Sequence, residues 1–362
     1  MTKPMLLADF ERLQPAVTVR AVDGLASAID RVAEGAPATH RFLRYGWFAA
    51  ALGAYGGHAR TLVVEDGHAP RIALPVVQSG PAALGLATVP GCYWPFRGFA
   101  ASARADAAAY DALIRALARE VRVLRWGPVY DDDPVLVAML AAARARGWAV
   151  LDRWVAHSYR LGIGDRSGFP RASTLKKNRF HEKHLAEHGA PAWRFATGPA
   201  ITDALLNDLA GVEAASWVGA KTDRRDAKFM ADGHGGFWRR AAADPELAAL
   251  MRVAMLRIDG RAQAFAFDLD GGTLRWAIAN SYHPAVAKHS PGRLLAYRNL
   301  AAAAASGVRV VDWGAGDIGY KEQMGATEGP GIRDYLLVRP GVSAAAARAA
   351  AGWWRRSGQP VV

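Results

Sequence analysis

Apolar and polar positions along the chain fall into two recurring patterns. Thr61–Val64 and Arg71–Val77 are short apolar runs on either side of Glu65-Asp66-Gly67. Met251–Ile258 and Ala262–Leu269 repeat the arrangement around Asp259-Gly260. Asp-Gly between two apolar runs predicts a β-hairpin, because these residues tolerate the positive φ angles of a tight turn. Each hairpin is followed by a Pro/Gly-rich approach, an alanine-rich helical stretch and another apolar run. In the first half these are Pro95-Phe96-Arg97-Gly98, Ala105–Arg119 and Arg122-Val123-Leu124-Arg125-Trp126-Gly127. In the second they are Ser290-Pro291-Gly292-Arg293, Leu294–Ala305 and Arg309-Val310-Val311-Asp312-Trp313-Gly314. The same order of elements, ending twice on Trp-Gly, predicts duplication of one α/β unit.

Between the copies, Asp133–Gly147 reads as a helix and Trp148–Leu161 as strand-rich. Gly162–Pro170, rich in Gly, Asp and Ser, is the expected boundary between a domain of residues 1–165 and one of 166–362. Ser173–His188 follows as a helix with Ser173 as N-cap, and Trp193–Ala196 as a strand. Ile201–Trp217 is a helix with Leu205, Leu209 and Val212 on one face, and Phe229–Ala243 is another. An alanine-rich helix, Ser343–Arg356, ends in Trp353-Trp354-Arg355-Arg356. That ending suits either a membrane interface or packing of the tryptophans onto the domain, and packing is the commoner use.

Composition narrows the class. The 362 residues are 51% hydrophobic and 22% charged, enough to bury two ordinary cores and to exclude a disordered chain. The longest uncharged stretch, Ile72–Phe96, contains Pro75, Pro81, Pro90 and Pro95, so it cannot be a membrane-spanning helix. Met1–Phe10 lacks the apolar core of a secretory signal, and a cytoplasmic protein is expected. Cys92 is the only cysteine, which excludes an internal disulfide and cysteine-based zinc sites. The net charge of +12 favours anionic partners such as coenzyme phosphates, nucleic acid or an anionic membrane surface. An arginine- and alanine-rich composition yields the same excess with no partner at all.

Two segments carry candidate chemistry. Ser290–Leu295 opens a helix directly after a strand-like stretch, Thr273–Asn280. Proline suits a first helical turn, glycine allows close approach to the backbone, and the free N–H groups attract phosphate. Lys288, His289 and Arg293 add positive charge; an ordinary proline-initiated helix start is the other reading. Val310–Val311 then runs into Asp312-Trp313-Gly314-Ala315-Gly316-Asp317 and Gly319-Tyr320-Lys321, polar groups crowded where a strand ends. Aligned on the tryptophans, the first copy has Arg125 in place of Asp312 and Pro134 in place of Lys321. The scaffold repeats while the polar set does not, which places the expected site in the second half.

Ser290–Leu295, Gly307, Asp312, Gly314, Gly316, Asp317, Tyr320 and Lys321 together resemble the GNAT-like acetyltransferases of the CelD/BcsL type associated with cellulose biosynthesis, and more distantly the Fem-type peptidyltransferases. Glu213–Trp217 and the basic helix Leu175–His188 share the likeness, which covers Ser173–Val338 well and the first half in outline. The Arg/Gln-x-x-Gly-x-Gly/Ala signature of ordinary GNAT enzymes is absent. The resemblance implies an α/β (α+β) fold of two tandem GNAT-like domains, each a mixed, mostly antiparallel sheet flanked by helices. It also implies N-acyl transfer from acetyl-CoA or a longer acyl-CoA to a small amine or amino-sugar acceptor, without a metal. Lys321 is then the candidate for stabilising the carbonyl or oxyanion, a surface lysine or a salt bridge to Asp317 being the other reading, and a Lys321→Ala variant is expected to lose turnover while folding nearly normally.

Asp312 either orients the acceptor amine or takes its proton, or simply caps its loop. Tyr320 either protonates the leaving thiolate or packs its ring. Glu213 either faces the cleft or is exposed to solvent. Lys288, His289, Ser290, Gly292, Arg293 and Leu294 are the donor-binding candidates, and Trp217, Asp317, Lys176 and Arg179 the substrate-binding ones. Lys176, Lys177, Arg179 and Lys183 form a cationic helix that suits phosphates or a solvated face. His181, His184 and His188 share a face, but no carboxylate or cysteine completes a metal set in sequence. No Gly-x-Ser-x-Gly elbow is present, so no acyl-enzyme nucleophile is expected. Two alternatives stand beside this reading: a Fem-like transferase using aminoacyl-tRNA, and a non-catalytic GNAT-fold partner in exopolysaccharide production. Nothing in the sequence fixes the oligomeric state.

Overall fold

Both Asp-Gly turns form in the computed structural model, which describes residues 17–67, 69–92, 96–164, 172–316 and 319–357. Gly67 has φ +62°, and Asp259 and Gly260 have φ +47° and +77°, the left-handed region that joins right-twisted strands. The first-copy strands are β1 (Val17–Asp23), β2 (Ala59–Asp66), β3 (Ala69–Gln78), β4 (Leu86–Thr88), β5 (Val123–Tyr130) and β6 (Ala149–Gly162). The second-copy strands are β7 (Pro191–Thr197), β8 (Met251–Ile258), β9 (Arg261–Gly271), β10 (Leu274–Tyr282), β11 (Val310–Ala315) and β12 (Thr327–Val338).

Among the described residues all twelve strands join one sheet, ordered β1-β2-β3-β4-β5-β12-β6-β11-β10-β9-β8-β7. The two copies exchange their last strands. β6 pairs with β11 of the second copy, β12 pairs with β5 of the first, and β6 and β12 pair with each other at the centre. Each copy contains one short parallel ladder, Leu86–Thr88 against Val123–Arg125 and Leu274–Trp276 against Val310–Asp312. Parallel neighbours need a crossover, and the two alanine-rich helices supply it.

The helices preceding the central strands are α1 (Ala28–Glu34), α2 (Tyr45–Tyr55), α3 (Ala107–Glu120) and α4 (Pro134–Ala145). Asp133 caps α4 by accepting from Val135 N at 2.8 Å and Leu136 N at 3.1 Å. The second copy carries α5 (Ala172–Leu185), α6 (Asp203–Ala215), α7 (Trp217–Lys221), α8 (Gly235–Ala242), α9 (Pro245–Leu250), α10 (Pro291–Ala305), α11 (Tyr320–Gln323) and α12 (Val342–Arg356). α2 and α8 clamp the copies together. A Cβ on Gly46 would collide with the Asp244 carboxylate, and one on Gly53 would lie 2.7 Å from Arg240 Nε, so glycine allows this approach. Beneath it Trp47 meets Phe237 and Trp238 edge-on at 4.7 and 5.9 Å, and all three rings are fully buried. Each such ring contributes roughly 2–3 kcal/mol through burial.

Three sequence expectations are corrected. The Phe229–Ala243 helix is confined to α8, because Glu213 accepts the N–H groups of Lys228, Phe229 and Met230 and holds that stretch as a turn. The Ile201–Trp217 helix breaks at Ser216, whose extended backbone ends α6 and whose hydroxyl caps α7 at Val218 N, 3.2 Å. Ser173 sits inside the first turn of α5, which starts at Ala172, so it is not the N-cap. Residues 165–170 of the Gly162–Pro170 boundary, Pro95 of the first-half approach, Met1–Phe10 and Asp317 lie outside the described residues.

Candidate active site at the opening between two parallel strands

Pairing of β10 with β11 stops at Trp276 and Asp312, although β10 continues to Tyr282 and β11 to Ala315. Both strands change register just past that point. β10 bulges between Ala277 and Ala279 against β9, and β11 between Asp312 and Ala315 against β6. Gly314 and Gly316, at φ +66° and +67°, permit the second irregularity. The strands therefore part, and the parallel connection brings the N-terminus of α10 to the end where β11 finishes. A gap at the carboxyl ends of parallel strands is where α/β proteins place ligands.

The first copy has the same parting but fills it with its own chain. Val89 N donates to Arg125 O at 3.3 Å, and the segment that follows buries Cys92, Phe96 and Phe99. Phe99 lies 4.9 Å from Trp126, on the tryptophan equivalent to Trp313. In the second copy Trp313 is half-buried and its ring has Tyr320 beside it at 6.0 Å.

Lys321 is buried, and its ammonium donates to the carbonyls of Trp313 at 2.7 Å, Gly314 at 3.1 Å and Ala315 at 2.9 Å, over the Tyr159 ring at 5.5 Å. It fixes the bulged end of β11. Asp312, on the other face of β11, is fully buried. Its carboxylate accepts from Arg160 Nε at 2.9 Å and from Gly314 N at 2.8 Å. Burial pushes this carboxyl above the ordinary carboxylate range, while Arg160, the Gly314 N–H and Tyr130 oppose that shift.

At the opposite wall, Ser290 enters α10 in the left-handed region at φ +52°, uncommon for a residue with a side chain. Gly292 faces Tyr282, where a Cβ would come within 3.1 Å of the ring. The N–H groups of Gly292 and Arg293 belong to the first turn and have no acceptor within the helix. Lys288 and His289 end the preceding 3-10 turn, Pro284–His289, and Leu294 is buried under it. α5 lies directly alongside. His184 stacks on His289 at 6.1 Å, His188 meets it at 5.0 Å, and Glu182 pairs with Arg298 of α10. Burial, then Lys177, Arg293 and His289, hold the His181 imidazole below its ordinary range. Lys176 and Arg179 are exposed on this helix.

The remaining described candidates flank Ser216, whose hydroxyl reaches the Ser281 hydroxyl of β10 at 3.4 Å. Glu213 is buried, which corrects the expectation of a solvent-exposed glutamate; its carboxylate is taken up by the loop amides at 2.7–3.3 Å. Trp217 is 59% exposed at the start of α7. Sequence reasoning missed Arg160, Tyr130 and Tyr159, which reach this site from the first copy's last strands. No local pattern marks them, since the strand exchange that brings them in is a long-range event. Among the described residues no helix is long and apolar enough to cross a membrane, and no group of three or more His, Cys, Asp or Glu is placed to hold a metal ion.

Residues 172–322 match the model of a family described as an acetyltransferase (GNAT) domain. No curated protein sequence matches the chain. Among solved structures, FemX is 10% identical, with 92% of this chain and 100% of that chain covered and a TM-score of 0.59. The C-terminal domain of a protein assigned as a lysylphosphatidylglycerol synthetase from Agrobacterium fabrum is 14% identical, covering 91% and 94%, TM-score 0.54. L-PGS from Bacillus licheniformis is 11% identical, covering 92% and 98%, TM-score 0.52. The chain thus has a duplicated GNAT-type acyltransferase fold, with the family match lying across the second copy, where β10 and β11 stop pairing after Trp276 and Asp312.

Proposed function

We propose that the chain is an N-acyltransferase that moves an acetyl or longer acyl group from a CoA-type thioester to a small amine or amino sugar, in cytoplasmic steps of polysaccharide or cell-envelope metabolism. One observation carries the proposal: the opening between β10 and β11 has the free amides of α10 on one wall and the bulged, lysine-held end of β11 on the other. The α10 amides, with Lys288, His289 and Arg293, take the donor's phosphates. The unpaired strand edges beyond Trp276 and Asp312 orient the acyl arm.

In the reaction the amine nitrogen bonds to the thioester carbon, the carbon–sulfur bond breaks, one proton leaves the amine and one reaches the thiolate. Asp312 is the group assigned to the amine proton, and Tyr320, 37% exposed, the group assigned to the thiolate. Lys321 acts through the loop: by holding three carbonyls it fixes the bulged chain of 313–316, whose Gly314 N–H is committed to Asp312, and so sets the edge that meets the developing oxyanion. Trp217 and the exposed residues of α5 border the space left for the acceptor. Replacing both Lys288 and Arg293 with glutamine is expected to raise the KM for acetyl-CoA about thirtyfold, since each charged contact to phosphate contributes on the order of 1 kcal/mol. An unchanged donor KM, measured over a panel of amines, would remove the phosphate assignment.

A second reading, transfer from aminoacyl-tRNA, is favoured by the exposed cations of α5 lying against the α10 start. Binding of acylated tRNA that weakens steeply with salt, together with no binding of acetyl-CoA, would select it.

A further inference from the structure

β12 lies between β5 and β6, so a side chain on β6 must cross it to reach β5. Arg160 makes that crossing. Its guanidinium holds Asp312 through Nε at 2.9 Å, reaches Asp132 beyond the end of β5 through Nη1 at 3.5 Å, and lies over the Tyr130 ring at 5.6 Å. The passage exists because β12 bulges between Glu328 and Gly331 and has glycine at 329. A Cβ there would stand 3.1 Å from Arg160 Cγ, 3.2 Å from Cδ and 2.6 Å from Ser158 Oγ. Ser158 is itself fully buried, and its hydroxyl has no hydrogen-bond partner among the described residues. Asp131 anchors the same corner, accepting from Arg333 Nε at 3.4 Å while its N–H donates to Gly331 O at 2.8 Å.

We infer that the first copy completes the second copy's site: Tyr130 and Asp132, engaged through Arg160 in the Gly329 notch, set the position and ionisation of the Asp312 carboxylate, with Arg160 as the positioning residue. This rests on the assignment of Asp312 in the proposed function, and it explains why the first copy persists although its own opening is filled. The groups facing Asp312 are Arg160 from β6, Tyr130 from β5 and the Gly314 N–H from its own strand; Asp132 faces it through Arg160, and Trp276 is its apolar neighbour on β10. Lys321 sits on the opposite face, on carbonyls of 313–315.

The test reads Asp312 directly and does not depend on turnover. Carbon-13 NMR of the side-chain carboxyl, assigned by its loss in Asp312→Asn, gives the titration midpoint in the full chain. Arg160→Met should raise the midpoint by about one to three units, because an adjacent guanidinium lowers a carboxyl by that much. Gly329→Val should move it the same way by displacing Arg160. Tyr130→Phe, which keeps the ring and should fold, should raise it by a smaller but measurable step. Midpoints equal to wild type in Arg160→Met, or in Tyr130→Phe, would overturn the inference, whereas a chain that shows all three shifts but transfers no acyl group would overturn the proposed function alone.

Discussion

Arg125 and Asp312 occupy equivalent positions in the two copies, each the third residue of its strand to pair in the parallel ladder, opposite Thr88 and Trp276. Each is bonded to an opposite charge on a neighbouring strand, Arg125 to Asp334 at 2.8 Å and Asp312 to Arg160 at 2.9 Å. The duplication has kept an ion pair and reversed its sign. Asp312→Asn should therefore lower transfer by about a hundredfold, the usual scale for a proton-transfer group. Arg125→Gln should leave turnover within about threefold, since Arg153 still neutralises Asp334 at 2.5 Å. Equal losses in the two variants, measured as kcat on purified protein, would place the chemistry elsewhere.

Lys321 holds three consecutive backbone carbonyls, so its removal should be felt in folding as well as in turnover. Lys321→Met leaves those carbonyls unpaired at a buried site and should cost roughly 2–4 kcal/mol of stability, as buried acceptors without donors do. Amide exchange in residues 313–316 should accelerate more than elsewhere. A variant with native stability and abolished turnover would restore the direct catalytic role expected from the sequence, and would remove the loop-holding one.

How far the sequence carries the account depends on the range of each interaction. The hairpin at Asp259-Gly260, the helix over Asp133–Gly147 and the equivalence of Trp126 with Trp313 are local or periodic, and all are legible in the sequence. The exchange of β6 and β12 was not. Pairing of Val338 with Val123 and Ala149 depends on the whole sheet being assembled, and a strand's own residues do not name its neighbour. Glu213 looked like a surface residue because its partners are backbone N–H groups, which any sequence offers. Lys321 stands out in the sequence as a candidate, but its carbonyl partners appear only once the Gly314 bulge is formed. The contact of α5 with the α10 start, made by His184 and His289, likewise joins segments far apart in the chain.

Asp268 gives a pH dependence separate from the proposed chemistry. It is 1% exposed on β9; Asn299 of α10 donates to Oδ2 at 2.7 Å, and Oδ1 has no partner among the described residues. Burial raises its pKa to about 6, against the pull of Arg275 and Asn299. Because the folded value lies above the unfolded one of 3.8, the unfolded chain ionises first. Stability from this group is present at low pH, declines as pH rises from about 4 to about 6, and stays lost above that. Asp268→Asn should gain on wild type across the same interval, by at most about 3 kcal/mol at roughly 1.4 kcal/mol per unit. A difference in unfolding free energy that stays constant from pH 4 to pH 7.5 would contradict this.

We propose that the donor lies in the β10–β11 opening with its phosphates on the start of α10. Backbone amide NMR of the full chain, titrated with acetyl-CoA, tests it most directly. Saturable shifts at Gly292, Arg293 and Leu294, with further shifts at Ala277–Ala279 and Trp313–Gly316, are the predicted result. Shifts confined to other surfaces, or none at millimolar acetyl-CoA, would contradict it.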